Sequence, residues 1–427
     1  MQQPHYQFLH GGLYSELDAL PVGEAIDHLR NYLGNFLLDG VVASAYLNRL
    51  AKDFNQDSSS QVSAWVRYLL EKLVQLQPFN CQVRQLRAQV SSVQDDLFKY
   101  LERTRLPKNI HRKLTSLNSA TSPVKRRSHL KELFREYSFA PELIEEMLLA
   151  DLEADVSPGQ DWLDRCTAPP KLKPLIYSQA MRYCLLQGDM QRARVLLEAS
   201  TGAVTSEEWL NTAAEVLVRS GDHQQGMAYY RRSLERDPLQ VPVRYRLQEL
   251  EHPIRQAPEV LRCQTAVFLY SYNKCDLLWN TLTGLADTEL GASRVVVLLN
   301  NCTDGSREAV KSLNRERFGN RIEVIDLPAN IGAPAARNWL LSTEAAKTSD
   351  YVAFLDDDVE VPKHWLSMLL TTLRQTPQAG VAGTKVLAPG RPRRLQYLYR
   401  NVSIARGDLL RVSLDTPDRN YDSGLYD

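Results

Sequence analysis

The chain has 427 residues, enough for two or three domains, and its 51 basic residues cancel its 51 acidic ones, which excludes a protein built around a basic field for nucleic acid. Its 44% apolar and 24% charged content is that of a soluble globular protein. No stretch nears the roughly 18 uninterrupted apolar residues of a membrane span, and the N-terminal "MQQPHYQFLHGG" lacks the basic and apolar segments of an export signal.

Residues 1–165 read as an all-helical region. "GEAIDHLRNYLGNFLLDGVVASAYLNRLAKDF" carries Ile26, Leu29, Leu33, Phe36 and Leu37 at helical spacing, and "QVSAWVRYLLEKLVQL" repeats the pattern with Val62, Trp65, Val66, Leu69 and Leu70. Between residues 103 and 135 lies a basic stretch whose centre, "SLNSATSP", has the composition of a loop. No aromatic residues are interleaved there for base stacking, so a solvated basic segment is expected rather than a nucleic-acid patch. "PELIEEMLLADLEA" opens a helix on Pro141, a residue suited to a first helical turn.

Residues 170–255 hold an internal repeat. Gly188-Asp189 and Gly221-Asp222 coincide 33 positions apart; on that register Ala180 matches Ala213, Ala193 matches Gly226 and Leu197 matches Tyr230. Small residues let paired helices approach, and the Gly-Asp turn separates them. The pattern resembles tetratricopeptide repeats, whose period is about 34 residues. Pro238 falls where that family closes a repeat, but Leu210 replaces its Trp, and Met181 and Ala214 stand where Gly is expected. Two repeats are fewer than the roughly three needed to stand alone, so they should lean on the helices before them and on the domain after them.

Pro253 and Pro258 end the helical pattern, and the period changes. From residue 262 to 427 short apolar runs alternate with helical segments: "TAVFLYSY", "RVVVLL", "RIEVIDL" and "YVAFL" are expected strands, with "AGVAGTKVL" a candidate fifth. Such alternation implies βαβ units and a mainly parallel sheet covered on both faces. The fold class is therefore an α-helical, repeat-like N-terminal region followed by an α/β domain.

Right-handed crossovers bring the C-terminal ends of all strands to one edge, where open α/β sheets bind ligands. Four successive strand ends carry polar or turn-forming residues: Ser271-Tyr272-Asn273, "NNCTDGS" at 300–306, "PANIG" at 328–332, and Asp356-Asp357-Asp358. Three adjacent carboxylates either bind a metal, hold raised pKa values or point apart into water. With no Cys near and the nearest His, His364, inside the next helix, an all-oxygen ligand set favours Mg²⁺ or Mn²⁺. A diphosphate leaving group would complete such a shell. Alone, the tripeptide could equally be an acidic N-cap for a helix opening at Pro362. Its place beside three other polar loops favours the metal.

Together these segments resemble family 2 glycosyltransferases with the GT-A fold. The resemblance rests on Tyr270-Ser271-Tyr272-Asn273, Leu299-Asn300-Asn301-Cys302-Thr303-Asp304-Gly305, Asn330-Ile331-Gly332 with Ala336-Arg337-Asn338, and Leu355-Asp356-Asp357-Asp358, in order and at matching spacing from 265 to about 390. It implies an inverting, metal-dependent transferase that moves a sugar from a nucleoside diphosphate sugar to an acceptor hydroxyl. Donor contacts would come from Ser271, Tyr272, Asn300, Asn301, Asn330, Arg337, Asp356 and Asp357, with Asp356 and Asp358 as metal ligands and no catalytic base assigned. Arg337 is either a diphosphate contact or an outward-facing helix charge; Asn330 and Gly332 either bind or shape their loop. Asp304 and Gly305 are expected to cap and turn into the next helix.

Two departures stand out. Leu299 replaces an aspartate that reads the base in the family, leaving Asn300 and Asn301 as substitutes. The chain also stops soon after Asp358, where family members supply the base and acceptor pocket, so the domain reads as C-terminally incomplete. Two readings result: a glycosyltransferase whose helical repeats recruit a protein or peptide acceptor, or a binding scaffold with a degenerate glycosyltransferase-like domain. A dinucleotide-dependent dehydrogenase is disfavoured, because "SYNKCD" offers no GxGxxG turn. Six scattered cysteines without a CxxC pair fit reduced thiols and a cytoplasmic protein.

Overall fold

In the computed structural model, residues 17–55, 60–91, 96–120, 122–202, 206–253, 257–390, 395–397, 401–405 and 409–413 are described. They fall into two units, Pro253–Thr384 and the remainder, Met1–His252 with Lys385–Asp427.

The helical unit begins with Val22–Leu33, Gly40–Ala51 and Gln61–Leu76 around a core that includes Leu29, Tyr32, Tyr46, Leu50, Leu69 and Leu73. The first two are separate helices, where periodicity implied one run. Gly34 ends the first, and the Asp39 carboxylate, accepting from the Val41 and Val42 amides, starts the second. Phe36, off the helix, still supplies core. A second correction concerns "SLNSATSP". Helix Lys108–Ala120 continues through Ser116 to Ala120, and Pro123–Tyr137 opens directly after Ser122, with Thr121 outside the described residues. Ser and Asn cost a helix only a few tenths of a kcal/mol each, so composition alone is a weak breaker.

Part of the basic stretch is spent inside the unit. Arg126 bonds Glu146 and Glu153, both at 2.5 Å, while Arg127 reaches Asp151 at 2.6 Å and shares Asp161 with Lys131. Asp151 is wholly buried and also accepts from the Gly159 amide and the Trp162 indole.

The repeat resolves into helical pairs, Lys173–Gln187 with Met190–Ser200 and Glu207–Arg219 with His223–Arg236, followed by Val241–Glu251. Gly188 and Gly221 turn through the left-handed region at φ 84° and 91°, and Asp189 and Asp222 cap the helices that follow. Only a residue without Cβ adopts that backbone at no cost. At Gly226 a Cβ would lie 2.6 Å from Val218 Cγ2, which explains the small residue where the pair closes. One continuous core joins Phe79, Phe134 and Met147 to Ala180, Leu197 and Leu217, so the pairs do lean on the helices before them.

The second unit is an α/β domain. Strands β1 (Thr265–Ser271), β2 (Arg294–Asn300), β3 (Ile322–Leu327) and β4 (Tyr351–Leu355) form one parallel sheet in the order β3-β2-β1-β4. Helices Cys275–Ala286, Ser306–Glu316 and Trp365–Gln375 follow β1, β2 and β4, and Ala333–Leu341 with the short Glu344–Lys347 follows β3. Val267, Leu269, Val297 and Leu299 face one core, and Ala266, Phe268, Val296 and Leu298 the other, as expected for strands buried on both faces. "AGVAGTKVL" does not add a fifth strand to this sheet: β5 (Val386–Leu387) pairs antiparallel with β6 (Leu395–Tyr397), and β7 (Asn401–Ala405) with β8 (Leu409–Ser413). No described helix is long and apolar enough to cross a membrane.

Candidate functional site

Parallel pairing in the order β3-β2-β1-β4 puts all four loaded loops on one edge. Leu269 of β1 is level with Leu355 of β4, so two residues further on Ser271 is level with Asp357. The Ser271 hydroxyl donates to the Asp357 carboxylate at 2.6 Å, and both residues are buried. After Asn273, which turns at φ 52°, comes Lys274; its ammonium donates to Asp357 Oδ1 at 3.1 Å and to Asp358 Oδ2 at 2.9 Å. Donation to Asp358 and then to Asp357 holds the Lys274 amine above its usual pKa, so it is charged throughout the neutral range. On the other side, Arg337 donates to Asp356 Oδ1 at 3.0 Å and lies over the Tyr270 ring, 5.1 Å from its centroid. Each of the three aspartates thus faces a cation. The outer two are open: Asp356 is 57% exposed and Asp358 43%, against 9% for Asp357.

The β2 and β3 ends are stitched together. Asn300 is buried; its Nδ2 donates to Asn330 Oδ1 at 2.8 Å, and its Oδ1 accepts from the Ile331 amide at 3.0 Å. Asn330 Oδ1 also accepts from the Gly332 amide, and Gly332 sits at φ 79°, ψ 162°, a region essentially reserved for glycine. Asn301 turns at φ 63°, a conformation Asn tolerates. Asp304 accepts from the Cys275 amide, from the Ser306 amide and from the Ser306 hydroxyl, so it caps two helices at once. Burial acts to raise its carboxyl, but the bonds from Ser306 and the Cys275 amide outweigh it and hold it below the usual range.

The predicted residues therefore divide. Ser271, Asn300 and Asp357 are buried and spend their polar atoms bracing the loops. Tyr272, Asn330, Arg337, Asp356 and Asp358 are exposed along the same edge, with Asn301 half-buried. Leu299 is fully buried in the core and offers nothing to a base. The acidic tripeptide is not a helix cap. The helix it precedes begins at Trp365 rather than Pro362, and Val359, next after Asp358, is pinned instead by two hydrogen bonds to the Thr281 hydroxyl. His364 turns away and pairs with Glu289. Two contributors escaped the sequence reading: Lys274, one residue past the quoted turn, and Tyr270 as the ring beneath Arg337. Nothing in spacing marks a lysine 84 residues from its carboxylate partner.

Among the described residues, no three His, Cys, Asp or Glu side chains converge as a ready-made cage. Asp356 and Asp358 nevertheless fit a hard divalent ion. Each is about half exposed and engages its cation through one carboxylate oxygen. Mg²⁺ and Mn²⁺ accept one or two carboxylates and fill the remaining positions with water and substrate phosphate. A thiol does stand at this edge, against the expectation of none nearby: Cys302, in the loop after β2, donates to the Ser271 carbonyl at 3.3 Å, so the two open carboxylates offer oxygen ligands of the kind Mg²⁺ and Mn²⁺ take rather than the nitrogen and sulfur set of zinc.

A family model described as Glycosyl transferase family 2 matches residues 266–421. Over 132 residues, 31% of this chain and 25% of the relative, the sequence is 36% identical to a pre-mycofactocin glycosyltransferase of Mycobacterium tuberculosis (strain CDC 1551 / Oshkosh). Over 125 residues, 29% of this chain and 39% of the relative, it is 32% identical to the succinoglycan biosynthesis protein ExoM of Rhizobium meliloti (strain 1021). The chain thus spans from a quarter to about two fifths of the length of these curated relatives.

Proposed function

With a family 2 glycosyl transferase domain at residues 266–421 as the premise, we propose that this chain transfers a sugar from a nucleoside diphosphate sugar to an acceptor hydroxyl, with inversion. The observation that carries the reading is the junction of Lys274, Arg337, Asp356 and Asp358 at the C-terminal edge of a parallel sheet, beside the exposed Tyr272. Tyr272 offers a ring face for the nucleotide, and Arg337 and Lys274 offer charge for the diphosphate. Asp356 and Asp358 would hold Mg²⁺ or Mn²⁺. Bound there, the ion would supply neutralisation of the diphosphate as it departs. In the transfer, a carboxylate still to be assigned takes the acceptor's hydroxyl proton. The freed oxygen bonds to the anomeric carbon as the bond to the diphosphate breaks on the opposite face.

In the same reading the helical pairs are tetratricopeptide-like units that recruit a protein or peptide acceptor, in the cytoplasm. The matching Gly-Asp turns and the close approach at Gly226 support the repeat. The test is incubation with a panel of nucleotide sugars with and without Mn²⁺, reading released nucleoside diphosphate. Release that needs Mn²⁺ and is lost in Asp358→Ala is expected. Tight donor binding without release, in a rim whose three aspartates are already paired, would favour the non-catalytic binding scaffold instead.

A further inference from the structure

We infer that Lys274 is a resident counter-cation of the acidic rim that competes with a divalent ion for Asp358. The inference rests on the metal-dependent transferase reading and concerns how this chain admits the metal. Without ligands, three carboxylates face two side-chain cations, Lys274 and Arg337, leaving one net negative charge at the rim. Lys274 is placed to matter because one ammonium serves two carboxylates. It reaches the buried Asp357, which Ser271 also supports, and the open Asp358.

Asp358 Oδ2 cannot bond an ammonium at 2.9 Å and coordinate a metal in the same direction. A divalent ion that takes up both Asp358 oxygens must displace Lys274 from that contact. The displaced ammonium stays tethered to Asp357 Oδ1, while the Ser271 hydroxyl, donating to Asp357 Oδ2, holds the end of β1 to the end of β4. With the ion seated, the same groups count two positive side chains and a doubly charged ion against three carboxylates. The rim is then net positive by one, the sign a diphosphate needs. The lysine thus makes the empty rim a poor metal site and the donor-loaded rim a good one, coupling the two binding events.

The test is Mn²⁺ binding to the full chain without nucleotide, followed by the loss of the free-ion electron paramagnetic resonance signal. Exposed ion pairs are each worth about 0.2–1 kcal/mol. Lys274→Met is therefore expected to bind Mn²⁺ about 1.4- to 5-fold more tightly than wild type, and Lys274→Arg to resemble wild type. Adding Asp358→Asn to Lys274→Met should erase the gain, which locates the ion at the rim. If Lys274→Met is too unstable to measure, Lys274→Gln keeps a hydrogen-bond donor for Asp357 and carries the same expectation. Equal or weaker Mn²⁺ binding in the neutral variants, while wild type binds the ion with a nucleoside diphosphate present, overturns the role of Lys274 and leaves the transferase reading standing. Absence of Mn²⁺ binding in every variant, with nucleotide or without, overturns both.

Discussion

The helical unit and the sheet unit both set carboxylates against cations, on opposite terms. In the helical unit Glu215 has no exposure and accepts from the Tyr230 hydroxyl at 2.5 Å, from Arg219 at 2.9 Å and from Arg246 at 3.0 Å. Burial, and then the Glu215 charge, push the Tyr230 hydroxyl far above its usual pKa. Asp151 is sealed in the same way by Arg127, Gly159 and Trp162. At the sheet rim Asp356 and Asp358 each meet one long, half-exposed cation and keep much of their surface in solvent. A buried, fully bonded charge fixes packing and has no capacity left for a ligand. An open, singly paired charge adds little to stability and can be exchanged for one.

That contrast can be broken by substitution, and the largest effect belongs in the helical unit. Glu215→Ala leaves the buried Tyr230 hydroxyl without its acceptor and takes one of the two carboxylates from Arg246, which keeps Glu249, and should cost about 3 kcal/mol, seen as an earlier transition in denaturant unfolding. Asp358→Ala should leave the unfolding midpoint nearly unchanged, because an exposed pair is worth about 1 kcal/mol at most. The same change should lower metal-dependent donor release at least about a hundredfold, since it removes a carboxylate proposed to hold the ion. Gly332→Ala puts a side chain where φ is 79° and ψ 162° and should cost about 1–3 kcal/mol in the sheet unit, read by thermal unfolding. The smallest change, Asp222→Ala, removes the acceptor for the Gln225 amide and should cost about 1 kcal/mol in the helical unit.

How legible each unit was follows from the same physics. Buried central strands are unbroken apolar runs, so β1 and β2 could be read directly, and the alternating β3 and short apolar β4 complete the edge that carries Tyr272, Arg337 and Asp358. The Gly-Asp turns were visible for a similar reason: a left-handed backbone and a helix cap each demand a particular residue type. What could not be read was pairing between distant residues. That Asp357 would be buried on Ser271, or Asn300 spent on the Asn330 loop, depends on strand register, which composition does not encode. Lys274 was overlooked because a basic residue after a turn is ordinary until its partners are known. The helix ends at Leu33 and Ala120 were misjudged in opposite directions. An apolar period can run on past a helix end, as at Phe36, and polar residues can continue a helix, as from Ser116 to Ala120.

The central claim, that the 356–358 rim seats a divalent ion together with a nucleotide sugar, is tested most directly by thermal unfolding of wild type and Asp358→Ala with a panel of donors, each with and without Mn²⁺. One donor is expected to raise the wild-type midpoint only when Mn²⁺ is present, and Asp358→Ala to abolish the shift. Stabilisation of both proteins alike, or by the donor without metal, would contradict the claim.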